Sequence, residues 1–211
     1  PKVSLVYLMI LTALASAILD NVTTILLAVP MTLIITKHLQ VSPIPFILAE
    51  VFVSNIGGAA TLVGDPPNII IASKANISFN AFLIHMAPLV LLVLAVIIPF
   101  LVFFFRRELI NSPEARDLVM RLDARQFLKD LVLLRKSLLV LTLVMIAFVL
   151  HAVLHLEPSI VALLGAGVLA AISGLRPKEY MQDVEWPTLI FFIGLFIMVG
   201  ALVSVGALGE F

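Results

Sequence analysis

Three carboxylates, Asp20, Glu50 and Asp65, stand where the surrounding sequence is almost free of charge. Each has amides or hydroxyls close by in the chain. Asn21, Thr23 and Thr24 follow Asp20; Ser54 and Asn55 lie one helical turn beyond Glu50; Thr61, Gly64, Pro66, Pro67 and Asn68 surround Asp65. An acid placed among oxygen and amide groups can bind a cation or carry a proton. An Asp at the centre of a membrane span costs about 2.5–3.5 kcal/mol on insertion scales, so one found there is a candidate for function. Covalent chemistry is poorly served: the sequence offers neither a Ser–His pairing at membrane depth nor a His-Glu-x-x-His pattern, and the chain is not expected to be an enzyme. With no Cys there are no disulfides, iron–sulfur clusters or thiolate metal sites, and no cofactor is expected beyond Na+ or H+ as a coupling ion.

The stretch SNIGGAATLVGDPPN, Ser54–Asn68, concentrates this chemistry. It holds three Gly, two Pro, two Asn, one Asp, one Ser and one Thr, a composition that no straight helix favours. Gly57, Gly58 and Gly64 allow close approach of backbone to a ligand. Pro66-Pro67 stops a helix running through and suits the first turn of another. Helices broken here present free N–H groups at one end and free C=O groups at the other. Asp65 has two open readings, a ligand group or the N-terminal cap of the following helix. A phosphate loop is excluded, since Gly64 is followed by Asp65-Pro66 and not by Lys-Ser/Thr.

The elements that carry these residues are membrane elements. The 211 residues are 62% hydrophobic and 12% charged, against about 45–50% and about 25% in soluble domains. Mean hydropathy is +1.21, and apolar runs of spanning length recur along the chain. These runs are 3–19, 22–36, 44–53, 69–73, 82–105, 137–154, 158–175 and 186–208. Eight of the 13 basic residues fall between Arg106 and Lys136, which places that segment in the cytoplasm. Counting from it, 12 of the 13 are cytoplasmic only if 44–73 crosses once. Ser54–Asn68 therefore belongs to one discontinuous span, and irregular backbone at that depth is tolerated only inside protein or beside a watery cavity. Residues 3–36 are either a re-entrant hairpin with Asp20 at its tip or two tight spans with Asp20 in an outer loop; charge counting does not separate them.

SAILDNVTTILLAVP followed by AEVFVSNIGGAATLVGDPPNIIIAS resembles the ArsB/NhaD permease group of the ion transporter superfamily, with the P protein type nearest. The closing VEWPTLIFFIGLFIMVGAL resembles the helix that opens the second inverted repeat in that group. The resemblance implies an all-α, polytopic membrane protein in which a re-entrant hairpin and a discontinuous helix meet at the transport site. On that pattern residues 1–105 are a first-repeat transport region, with hairpin 3–36, broken helix 44–73 and span 82–105. Residues 106–136 are a cytoplasmic linker, and 137–211 begin a second repeat with spans 137–154, 158–175 and 186–208. The chain is expected to be the middle of a protein about twice as long. The implied activity is secondary transport of a small inorganic ion by alternating access, either Na+/H+ antiport or efflux of arsenite or antimonite. An anion or carboxylate permease and a non-transporting membrane fragment are the alternatives.

The implied ion ligands are Asp20, Asn21, Thr23 and Thr24 from the hairpin tip, and Ser54, Asn55, Gly57, Gly58, Thr61, Gly64, Asp65, Pro66, Pro67 and Asn68 from the break. Glu50 is a candidate proton carrier. The expected partners are the lipid bilayer, a small ion and a second copy of the chain. The setting is the plasma membrane of a bacterium or archaeon. His151 and His155 have helical spacing but no third ligand, so no metal site is assigned. Asn76-Ile77-Ser78 is a formal glycosylation sequon. Arg106–Lys136 mixes eight basic with five acidic residues, which argues against nucleic acid as a partner. Trp186 suits an interfacial anchor.

Overall fold

The structure is a computed structural model that describes residues 2–75, 77–109, 131–154, 158–182, 184 and 186–205. Their regular structure is entirely helical: α1 (Lys2–Ser16), α2 (Asn21–Leu39), α3 (Ile44–Gly58), α4 (Pro66–Lys74), α5 (Phe79–Phe104) with a 3₁₀ turn at Phe105–Arg107, α6 (Leu131–Leu154), α7 (Pro158–Ser173), α8 (Pro177–Gln182) and α9 (Trp186–Ser204). Asn21–Leu39, Phe79–Arg107 and Leu131–Leu150 are long and apolar enough to cross a membrane. The molecule is an all-α membrane protein. Most of the expected linker, residues 110–130, lies outside the described residues, as do Asn76, His155 and the end of the last expected span.

The helix boundaries follow local chemistry more than hydropathy. The first apolar run continues to Leu19, yet α1 ends at Ser16. Ile18 N–H and Leu19 N–H both turn back to the Ala15 carbonyl, at 3.0 and 2.8 Å. Asp20 is extended (φ −65°, ψ 159°) and starts α2. Helix α5 begins three residues ahead of the apolar run because Ser78 Oγ accepts from Ala81 N–H at 3.2 Å. Helix α7 stops before Gly174, whose φ of +78° ends it in the left-handed region. Pro30, Pro88 and Pro99 sit inside α2 and α5 without ending them, as is common in membrane helices.

Contacts divide the chain into two compact units, residues 1–129 with 146–157, and residues 130–145 with 158–211. In the first, α3 packs against α1, α2 and α5. Leu5, Met9 and Ala13 of α1, Leu39 of α2 and Phe46, Ala49 and Val53 of α3 are buried in a cluster that Leu101 and Phe105 join. The same interior buries Thr12, Ser16, Thr24, Thr32, Thr36, Glu50, Ser54 and Thr61, while Leu91, Leu92, Val96 and Phe103 of α5 face outward. Polar groups inside and large apolar groups outside is the arrangement that lipid selects, since lipid tails do not drive Leu inward. The Phe79 and Phe148 rings also stack here, with centroids 5.5 Å apart.

In the second unit Lys136 Nζ donates to the Ile172 carbonyl at 2.6 Å, a cation on the free carbonyls at the end of α7. Gly165 packs where a Cβ would collide with the Val144 side chain. The Trp186 indole N–H donates to the Met181 carbonyl at 2.9 Å, tying α9 to α8.

Candidate functional site where two breaks meet

Two interruptions in the first unit come together: Ala17–Asp20 between α1 and α2, and Ala59–Asp65 between α3 and α4. Small residues make the approach possible. A Cβ on Gly57 would stand 2.8 Å from Ala13 Cα. One on Gly64 would stand 2.6 Å from the Ser16 carbonyl oxygen and 2.8 Å from Gly58 Cα. These three glycines let α1 and the two sides of the break touch one another, so their close approach is to chain and not to open space. Ser16 Oγ donates to the Ser54 carbonyl at 2.7 Å, completing the α1–α3 contact.

The break is held by its own side chains. Thr61 Oγ1 donates to the Ala17 carbonyl at 2.6 Å. The same oxygen accepts from Val63 N–H at 3.2 Å and Gly64 N–H at 3.1 Å. Asn68 Nδ2 donates to the Gly58 carbonyl at 3.1 Å and the Thr61 carbonyl at 2.8 Å. Ser54 Oγ donates to the Val51 carbonyl at 3.0 Å. Pro66 and Pro67 open α4 and have no N–H to offer. Buried Ser54, Gly57, Gly58, Thr61 and Gly64, with Asn68, thus build the loop.

A second group is reachable. Asp20 is half-buried and caps α2: its Oδ1 accepts from Val22 N–H at 2.8 Å and Thr23 N–H at 2.9 Å, and Thr23 Oγ1 donates to Oδ2. Asn21 Nδ2 donates to Asn55 Oδ1 at 2.9 Å, joining the two breaks directly, and Asn55 Nδ2 donates to the Val51 carbonyl at 2.8 Å. Asp65 is half-buried, and among the described residues its carboxylate accepts no hydrogen bond. The Asn68 N–H goes to the Asp65 carbonyl at 3.0 Å, so the side chain does not cap α4. The Asp65 carboxylate lies within electrostatic range of Asp20. Thr24 differs from the usual helical Thr, which bonds back to its own helix: its hydroxyl is buried without a partner.

The electrostatics of this arrangement are one-sided. Residues 3–36 and 38–73 contain no Lys or Arg. The first N–H groups of α2 already face the Asp20 carboxylate. Those of α4 are removed by the two prolines or turned to the Asp65 backbone. A free anion meets two acids and few donors; a cation meets two carboxylates and the Asn55 and Asn21 amides. An apolar cleft of about 550 Å³ between α1, the end of α3 and α5 is a separate feature. Ile10, Leu14, Leu83, Val90 and Leu94 line it, and its Thr61 hydroxyl is already bonded to Ala17.

Sequence reasoning did not find Ser16 or Thr32. Ser16 is the last residue of α1 and opens the SAILDNVTTILLAVP stretch, but nothing in its spacing marks it as the contact to α3. Thr32 Oγ1 donates to Glu50 Oε1 at 2.6 Å. The spacing of Thr24, Thr32 and Thr36, multiples of four along one helix, is the signal that marks the α2 face turned to α3.

Comparison with known proteins agrees with the motif. The chain is 52% identical to an uncharacterized transporter of Mycobacterium tuberculosis over 98% of its length and 48% of that protein. It is 33% identical to the magnetosome protein MamN of Magnetospirillum gryphiswaldense, over 90% of the chain and 44% of MamN. It is 30% identical to the P protein of Homo sapiens, over 94% of the chain and 32% of that protein. The chain thus spans half or less of the length of each. The narrower ArsB/NhaD placement rests on the motif resemblance alone. The description "Citrate transporter" attaches to a family that matches residues 1–211 in full. With the Ser54–Asn68 break inside that match, the chain belongs to the citrate transporter family.

Proposed function

We propose that this chain is the ion-handling part of a secondary active transporter, and that the transported or coupling ion is a small cation. The observation that carries the reading is that two half-buried acids, Asp20 and Asp65, flank the junction of the two breaks in a region with no basic side chain. Membrane membership and the transporter family support the general activity. Na+ is the cation proposed, exchanged for H+ by alternating access across the plasma membrane. The cation is held by Asp65, by the remaining acceptor site of Asp20 and by Asn55. A carboxylate offers about four acceptor sites, and three on Asp20 are already filled.

The family description favours a second reading, transport of citrate or a similar acid. Two carboxylates and no Lys or Arg oppose the free anion, so this reading requires the acid to arrive with its charge neutralised by a bound cation. Arsenite is the third solute to test, because an uncharged hydroxide suits oxygen and amide ligands.

The test uses the full-length protein in everted vesicles, with the pH gradient followed optically during addition of Na+, Li+, arsenite, or citrate with and without Mg2+. Cation exchange predicts collapse of the gradient by Na+ or Li+ in wild type and none in Asp65→Asn. A response only to citrate with Mg2+ selects the second reading, and arsenite uptake selects the third. No response to any solute overturns the transport reading.

A further inference from the structure

Glu50 is the most deeply placed acid described. It is fully buried on α3, at 0% exposure, and Phe46, Ala49 and Val53, within about one turn of it on the same helix, are buried too. Thr32 Oγ1 donates to Oε1 at 2.6 Å. The other oxygen, Oε2, is buried and has no partner. The charged and titratable groups on the elements packed against α3 do not meet it. Lys2 of α1 is exposed at the helix start, Lys37 and His38 lie in the last turn of α2, and His85 of α5 is exposed and bonds to the Ala81 carbonyl at 2.7 Å. Arg106 and Arg107 beyond α5 are exposed.

A permanently charged carboxylate in such surroundings is expensive, because burial strips its hydration and no countercharge replaces it. A purely structural link between α2 and α3 needs one hydroxyl and one acceptor, which Gln or Thr supplies without that cost. An acid here is explained if it changes charge. The surroundings are also continuous with the reachable site. Thr24, Thr32 and Thr36 form the buried face of α2, and Glu50, Ser54 and Asn55 follow one another up α3. Thr36 Oγ1 donates to the Thr32 carbonyl at 2.7 Å, fixing the residue that holds Glu50. Thr24 contributes a second unpartnered buried oxygen, nearer the break.

We propose that Glu50 carries the coupling proton, along the polar seam between α2 and α3 and in exchange with occupancy of the Asp20–Asp65 site. An O–H bond forms on Glu50 as one breaks on a hydronium ion on one side, and it later breaks as an O–H bond forms on an accepting water on the other side; no other bond changes. The neutral acid rests in the dry seam. The carboxylate is tolerated when a cation enters the same unit and offsets its charge. Cation entry and proton release therefore favour each other, which is the coupling an exchanger needs. This inference rests on the transport reading above.

The test uses full-length protein in liposomes, as wild type, Glu50→Gln, Glu50→Asp and Thr32→Val, with two readouts. The first compares solute-driven proton flux with solute-for-solute counterflow, using Na+ and citrate with Mg2+ as probes. The second is the infrared carbonyl band of a buried carboxylic acid, followed as pH and Na+ are varied. Glu50→Gln keeps the Thr32 hydrogen bond; it is expected to retain counterflow, lose proton flux and lose the band. Glu50→Asp is expected to retain proton flux at a reduced rate. A structural role predicts equal loss of both fluxes in Glu50→Gln and Thr32→Val, and that result overturns the proposal, as does a band unchanged by Glu50→Gln. If Glu50→Gln does not assemble, wild type decides: dicyclohexylcarbodiimide should label Glu50 and block proton flux, and an unlabelled Glu50 overturns the proposal. Absence of any solute flux in wild type counts against the transport reading, while the band still decides the protonation of Glu50.

Discussion

Asp20 and Asp65 are both acids beside a chain break, yet they are predicted to fail differently when mutated. Asp20 is a cap as well as a charge. Asp20→Ala removes acceptors for two N–H groups and should cost about 1 kcal/mol, seen as a lower Tm of the full-length protein in detergent. Asp20→Asn keeps an acceptor for both, so its Tm should stay near wild type while the cation response falls. Asp65→Asn should leave Tm unchanged, because no described hydrogen bond depends on that carboxylate. Asn68 is the counter-case. Its amide serves the Gly58 and Thr61 carbonyls, and Asn68→Ala should cost about 1–3 kcal/mol for the acceptors it strands. An Asn68→Ala protein of wild-type Tm would mean that the loop is held by something else.

The elements put these side chains in place through close backbone contact. Helix α1 reaches α3 because Ala13, Ser16, Ser54 and Gly57 are small. Gly57→Val should push the helices apart and lower stability by about 1–3 kcal/mol, whereas Gly167→Ala on α7, where a Cβ would meet nothing within 4 Å, should raise it by up to about 1 kcal/mol. Thermal unfolding of the two variants side by side checks the pair. Gln40 ends α2 in the left-handed region at φ 54° and ψ 39°, so Gln40→Gly should stabilise that end by about 1–2 kcal/mol. Much of the element order was legible. Hydropathy located the long apolar runs, and the Gly and Pro content of Ser54–Asn68 announced an interrupted helix. The ends were less legible, because Ser78, Asp20 and Gly174 set them through single caps and a single φ angle that hydropathy does not register. The division of labour among the polar residues was not legible. Composition gives Thr61, Asn68, Asn55 and Asp65 similar weight, and only the paths of their hydrogen bonds separate the residues that build the loop from those left reachable.

On the scale of the whole molecule, the first unit has an apolar surface around a core that mixes apolar with polar side chains. Its interior holds Glu50, Thr32, Ser54 and Thr61 at under a tenth exposure, and its surface is Leu, Val and Phe. Such a surface suits lipid, and the buried polar groups are tolerated if they have work or partners. Most have partners. The exceptions, Glu50 Oε2 and Thr24 Oγ1, together with the open Asp65 carboxylate, lie on the elements that form the two breaks and the seam beneath them. The central claim is that the junction of those breaks is where the ion sits. The measurement that reaches it most directly is solute protection of a single thiol. Because this chain has no Cys, Asn55→Cys can be made in a full-length background cleared of other reactive cysteines. Labelling by a membrane-impermeant methanethiosulfonate is then timed with and without Na+, and with and without citrate plus Mg2+, beside Arg107→Cys, exposed just beyond α5. The account predicts that one of these solutes slows labelling at Asn55→Cys and leaves Arg107→Cys unchanged. Labelling of Asn55→Cys at the same rate under every condition, in protein that still transports, would contradict it.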